Sequence, residues 1–156
     1  MNYWLMKSEP DVFGIDDLKS KPGKTEHWDG VRNYQARNMM RDDMRKGDLV
    51  FFYHSNCKEP GIVGIARIAR EAYPDHTAWD KRSRYFDEKS TRDNPRWFMV
   101  DVKYVRKLKR NISLTELKQH AKLKDMPLLR KGNRLSVMPV TEAQWNYILQ
   151  LETGDK

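Results

Sequence analysis

Apolar positions along this chain follow two periods, and the switches between them lay out its elements. Tyr3 to Lys7 alternates, with Tyr3 and Leu5 on one face and Trp4 and Met6 on the other, which predicts a short strand. Ser8-Glu9-Pro10 ends it, because proline cannot donate to a ladder. Ile15 to Ser20 predicts one or two helical turns stopped by Pro22-Gly23. From Asn33 to Met44 the spacing is helical: Ala36, Met39, Met40 and Met44 form a buried stripe, Arg37, Arg41 and Arg45 share a face, and Asn33 is the N-cap candidate.

Leu49 to His54 predicts an aromatic-rich strand and Ile62 to Ala69 the strand that returns beside it, with Gly64 allowing close approach of another backbone. Asp75 to Asn94 is polar and aperiodic, a long loop of the kind that often carries function. Trp97 to Leu108 alternates most clearly, with Phe98, Val100, Val102 and Tyr104 facing one way. Arg134 to Val140 predicts a strand ending at Pro139. Ser113-Leu114-Thr115-Glu116 and Thr141-Glu142-Ala143-Gln144 are capping boxes, the second opening a helix with Trp145, Ile148, Leu149 and Leu151 on one face. With no repeat, low-complexity tract or linker, residues 1–156 are expected to form one domain. The order of elements predicts an α+β fold, mostly antiparallel strands with segregated helices around a curved sheet or small barrel. The open mouth of such a barrel is a common ligand site.

Composition adds a partner. Thirty Lys and Arg against 22 Asp and Glu give a net charge of +8, which attracts polyanions. Cys57 is the sole cysteine, so no internal disulfide forms and a reducing compartment is expected. No run approaches the roughly 20 apolar residues of a membrane span, and the N-terminus turns polar too soon for a signal peptide. A cytoplasmic location is expected, nuclear in a eukaryote, with no membrane partner.

The densest candidate chemistry is the eleven-residue stretch Trp28 to Asn38, which holds Trp28, Arg32, Asn33, Tyr34, Gln35, Arg37 and Asn38. Flat π-faces beside amides and guanidiniums suit a nucleobase and its phosphate. Trp4, Trp28, Tyr53 and Trp97 each sit near a strand end or loop beside polar residues. Core packing is the competing reading, and Trp145 and Phe98 fit it better. Trp28 fits it least, with His27, Asp29 and Gly30 around it. Tyr53-His54-Ser55-Asn56 reads equally as pocket lining or as a hairpin turn. Lys7-Ser8 would supply an ammonium and a hydroxyl to the same mouth. Arg37 and Arg41 are phosphate candidates, as is the run Lys103, Arg106, Lys107, Lys109 and Arg110, five basic residues in eight. The competing reading of that run is a charged strand resisting edge pairing.

Catalytic signatures are thin. His54 and Cys57 do not make a four-ligand zinc site, and no Walker, G-x-G-x-x-G or H-E-x-x-H motif occurs. No cofactor or metal is expected.

Tyr3-Trp4-Leu5-Met6-Lys7-Ser8-Glu9-Pro10, Trp28 through Asn38 and Phe52-Tyr53-His54-Ser55-Asn56 resemble the EVE domain family. Pro60 to Gly64, Ala72 to Asp75, Trp97 to Val102 and Arg134-Leu135-Ser136-Val137-Met138-Pro139-Val140 extend the likeness over nearly the whole chain. The resemblance implies a PUA-like curved β-barrel with flanking helices, related to YTH and ASCH domains. It also implies binding of DNA or RNA, often through a modified base held in an aromatic-lined pocket. Carried onto this chain, the pocket residues are Trp4, Lys7, Ser8, Trp28, Arg32, Asn33, Tyr53, Ser55 and Trp97, with Arg134, Ser136 and Pro139 near the rim. The function expected is therefore a non-enzymatic reader of a modified base, for example a modified cytosine. The alternatives are an enzyme acting on modified nucleosides or nucleic acid, with His54 or Lys7 as base, and a small-molecule or nucleotide sensor.

Overall fold

A computed structural model describes residues 1–154. Six strands make one sheet: β1 (Tyr3–Ser8), β2 (Thr25–His27), β3 (Leu49–His54), β4 (Gly61–Pro74), β5 (Phe98–Ser113) and β6 (Val137–Val140), in the order β2-β5-β4-β3-β1-β6. All neighbours are antiparallel except β1 and β3, which run parallel. The helices are α1 (Pro10–Phe13), α2 (Ile15–Ser20), α3 (Tyr34–Asn38), α4 (Leu114–Leu117) and α5 (Glu142–Thr153). This is the expected α+β fold, with a curved sheet that stays open: among the described residues β2 and β6 are not paired with each other. No helix among them is long and apolar enough to cross a membrane.

The sheet is buried on both faces, and side-chain alternation divides the core in two. Trp4, Met6, Val50 and Phe52 point to one cluster, where α2 and α3 deliver Ile15, Leu18 and Ala36. Leu5, Phe51 and Tyr53 point to the other, covered by Leu117 of α4 and Trp145, Ile148 and Leu151 of α5. Phe51 and Trp145 stack at 3.7 Å. Gly64 admits the expected close approach of another backbone, since a Cβ there would meet the Arg106 carbonyl at 3.1 Å, and of a side chain, Ile15 Cδ1 at 2.7 Å.

The caps behave as the sequence predicts. Asn33 accepts from the Ala36 N–H at 3.0 Å, Ser113 from the Glu116 N–H at 3.1 Å, and Thr141 and Gln144 satisfy each other reciprocally. The Asn33 helix is shorter than expected, because Met39–Asp43 opens into one wide π turn before Met44. Strands β4 and β5 run past their expected ends, paired through bulges as far as Pro74 with Phe98.

Candidate nucleic-acid interface

The parallel β1/β3 pair sets the site. Parallel strands end side by side, so Ser8 lies opposite His54, and the Ser55 N–H donates to the Ser8 carbonyl at 3.0 Å. Strand β6 is antiparallel to β1, so the residues before it arrive at the same corner, where the Lys7 N–H donates to the Ser136 carbonyl at 2.8 Å. The segment leaving β2 forms the far wall, tied down by the Trp28 N–H to the Val100 carbonyl at 2.7 Å. These pieces enclose a cavity of about 590 Å³ lined by Lys7, Ser8, Val12, Phe13, Trp28, Asp29, Gly30, Arg32, Ser55, Tyr85, Arg134 and Ser136, among others. That is within the range of about 300–1,000 Å³ typical of ligand pockets.

One wall is braced by a buried carboxylate. Asp75 accepts from the Gly30 N–H at 2.9 Å, from Arg32 Nη1 at 3.0 Å and from the Thr77 N–H at 2.9 Å. Burial pushes Asp75 up, but these bonds outweigh it and hold its carboxyl below the usual range. Arg32 also donates from Nε and Nη2 to the Tyr85 carbonyl, at 3.1 and 2.7 Å. Its guanidinium is thereby engaged inside the protein, fixing the long loop over the cavity. Tyr85 lies against Gly30, whose φ of +82° suits glycine, and a Cβ there would sit 2.5 Å from the phenol Cζ.

Both signs of charge line the cavity. Lys7, Arg84 and Arg134 line it without an ion pair among the described residues. Burial lowers the Lys7 pKa, since the ammonium has lost water without gaining a carboxylate. Glu26 lines it as well. Burial raises its pKa, but the His27 N–H at 3.0 Å and Lys21 at 3.2 Å outweigh that and hold it low. Beside it Asp29 is pushed up by burial.

Of the residues expected in the pocket, Lys7, Ser8, Trp28, Arg32, Ser55, Arg134 and Ser136 line this cavity. The other six lie elsewhere. Trp4 and Pro139 line a second cavity, also of about 590 Å³, and the Trp4 indole donates to Asp48 at 3.0 Å. Tyr53 is in the α4/α5 core, where burial lifts its phenol to about 12. His54 Nε2 accepts from the Ile15 N–H at 3.1 Å, and burial lowers the ring's pKa. That engaged nitrogen is unavailable as a general base. Asn33 caps α3. Trp97 is buried, stacked on Tyr34 at 4.7 Å and donating to Asp87 at 2.7 Å. Unlike those of Trp4 and Trp97, the Trp28 indole N–H has no acceptor among the described residues. Trp28 is 8% exposed and meets Phe52 edge-on at 5.4 Å, so it is both core and cavity wall.

The expected phosphate contacts are also redistributed. Arg106 forms a two-pronged pair with Glu152 at 2.7 and 2.9 Å, and Arg110 one with Glu116 at 2.6 and 2.8 Å. Lys107 pairs with Asp16 at 3.0 Å. Lys103 and Lys109 belong to the same strand, on which Lys103 pairs across to Thr25 and Arg67. Arg37 donates to the Arg96 carbonyl at 2.8 Å, and Arg41 to its neighbour Asp42. Sequence reasoning missed Phe13, Asp29 and Tyr85 as cavity residues. Only the length of the 75–94 loop hinted at Tyr85.

An open, mostly antiparallel sheet with its cavity at the corner of a parallel strand pair defines a PUA-like α+β protein. The chain belongs to the EVE domain family, whose match runs over residues 2–151. Thymocyte nuclear protein 1 of Danio rerio is 50% identical over 169 residues, covering 97% of this chain and 72% of that protein. The crystal structure of human THYN1 in complex with 5-methylcytosine-containing DNA is similar with a TM-score of 0.94 at 47% identity, covering 100% of each chain. A YTH domain of Zygosaccharomyces rouxii MRB1, solved with N6-methyladenosine RNA, is similar with a TM-score of 0.56 at 12% identity, covering 99% of this chain and 88% of that one. The last likeness is one of fold.

Proposed function

We propose that the chain is a single EVE module that binds DNA and holds one modified base, a 5-methylcytosine, in the corner cavity without chemical turnover. The observation that carries this reading is the cavity itself: an indole whose N–H has no acceptor among the described residues, an apolar patch of Val12 and Phe13, and three cations with no carboxylate partner among them meet in one opening. The 47% identical human THYN1, solved with 5-methylcytosine-containing DNA, supports the choice of ligand. The relatives' name, thymocyte nuclear protein, supports a nuclear location for eukaryotic members.

The energetics are modest and consistent. Extruding a base from a duplex costs a few kcal/mol. One or two aromatic contacts return about 1–3 kcal/mol each. Lys7, Arg84 and Arg134 hold phosphate, which makes binding salt-dependent. A methyl group in an apolar niche contributes about 0.8 kcal/mol, so the preference for 5-methylcytosine over cytosine is about fourfold.

Titration of oligonucleotides differing only in one methyl group tests the reading. Tighter binding of the methylated strand is expected, and replacing Lys7 and Arg134 by Ala should weaken both strands about equally. Equal affinity for both strands overturns it. The engaged His54 nitrogen argues against His54 as the base of the enzyme alternative.

A further inference from the structure

Three carboxylates line the cavity, and two already have donors. Glu26 accepts from Lys21 and the His27 N–H. Glu9, exposed at the mouth, accepts from Asn56 Nδ2 at 3.3 Å. Asp29 differs. Its side chain is 32% exposed, and the His27 Nε2 lies 3.7 Å away, too far for a hydrogen bond. Among the described residues no donor other than its own backbone N–H reaches it. Burial, then the negative charges of Asp75 and Glu26, push its pKa up against the pull of His27. A half-desolvated carboxylate whose one donor is its own backbone N–H gains most from a ligand that brings another. Its position is also fixed: Trp28 before it is tied to Val100, and Gly30 after it is tied to Asp75.

We propose that Asp29 is the specificity-determining residue of the cavity, accepting a hydrogen bond from the exocyclic amine of the bound base. The inference rests on the base-reading function proposed above and narrows it to amino-bearing bases, cytosine with a C5 substituent first among them. Cytosine presents N4–H donors where thymine presents the O4 acceptor, and carboxylates accept from N4. Thymine is 5-methyluracil, so 5-methylcytosine and thymine carry the same methyl group at C5. What separates them is the polar edge that Asp29 would meet. With 5-methylcytosine the carboxylate gains its missing donor. With thymine it faces the lone pairs of O4 in a site short of water. The cations Lys7, Arg84 and Arg134 line the same cavity and remain for phosphate.

Fluorescence anisotropy on single-stranded oligonucleotides of one sequence, carrying cytosine, 5-methylcytosine or thymine at one position, tests this on the full chain. The wild type is expected to prefer 5-methylcytosine over thymine by about tenfold or more. In Asp29→Asn the amide rotates, accepting from N4 or donating to O4, so that ratio falls toward one, chiefly because thymine binds better. Asp29→Ala weakens 5-methylcytosine and, by removing the carboxylate that faces O4, strengthens thymine, though less than Asn, which adds a donor. The wild-type ratio needs no variant, so a poorly folded mutant does not protect the proposal. Equal wild-type binding of thymine and 5-methylcytosine, or an unchanged ratio in Asp29→Asn, overturns the role of Asp29. Either result leaves base reading standing if 5-methylcytosine still outbinds cytosine. Loss of that methyl preference in the wild type strikes the function itself, and this proposal with it.

Discussion

Gly30→Ala perturbs the cavity wall by a single methyl group. Gly30 has φ of +82°, and its new Cβ would lie 2.5 Å from Tyr85 Cζ and 2.7 Å from two more ring carbons. Forcing an L-residue into the left-handed region costs about 1–2 kcal/mol. Displacing the packed ring adds about 1–3 kcal/mol. Losing glycine's extra freedom in the unfolded chain returns about 0.4–1 kcal/mol. The net loss is about 1–4.5 kcal/mol, a fall in Tm of about 2–18 °C for a chain of this size. Tyr85 cannot retreat freely, because its carbonyl is held by two Arg32 donors. Binding should therefore weaken as the ring is driven into the cavity. A double-mutant cycle separates the two costs by thermal and urea unfolding. In a Tyr85→Ala background the ring is gone, and Gly30→Ala should cost only about 1 kcal/mol. A strictly additive cycle, or a Gly30→Ala protein as stable as the wild type, refutes the reasoning.

Other consequences are measurable. Lys7→Ala and Arg134→Ala should each lower the slope of log affinity against log salt by about one, while Arg106→Ala and Arg110→Ala, engaged with Glu152 and Glu116, should leave it unchanged. Glu152→Gln should destabilise the protein by about 1.5–3 kcal/mol in denaturant unfolding without altering DNA affinity, since its buried carboxylate accepts from Arg106 and from the Lys109 N–H. The folded pKa of His54 is depressed by burial, so its neutral form contributes stability above its unfolded value of 6.5, and that stability is lost as pH falls from there through the folded value. His54→Gln keeps an acceptor for the Ile15 N–H, and its unfolding free energy should fall less over that interval than that of the wild type.

Local rules were legible in the sequence, and long-range partners were not. The alternation of β1, β3 and β5 and the caps at Asn33, Ser113 and Thr141 follow from contacts within a few residues, and they appear where expected. The parallel pairing of β1 with β3 has no such local signature, yet it builds the corner that holds Lys7, Ser8 and Ser55. The three-residue β2 is too short to show a period. Trp4 and Trp97 read as pocket candidates because each lies near a strand end or loop. Their indoles are buried against Asp48, 44 residues away, and Asp87, 10 residues away. The basic run on β5 looked free for the same reason, since Glu152 lies 46 residues from Arg106. Trp28, a candidate on local grounds, lines the corner cavity.

Photo-crosslinking tests the central claim most directly. An oligonucleotide carrying 5-iodocytosine places a reactive atom where the methyl group of 5-methylcytosine would be, and peptide mapping by mass spectrometry then locates the protein side chain it joins. A base held in the corner cavity should crosslink to Trp28, Phe13 or Tyr85. Crosslinks confined to the Lys103 to Arg110 stretch of β5, or to the second cavity beside Trp4, would contradict the account.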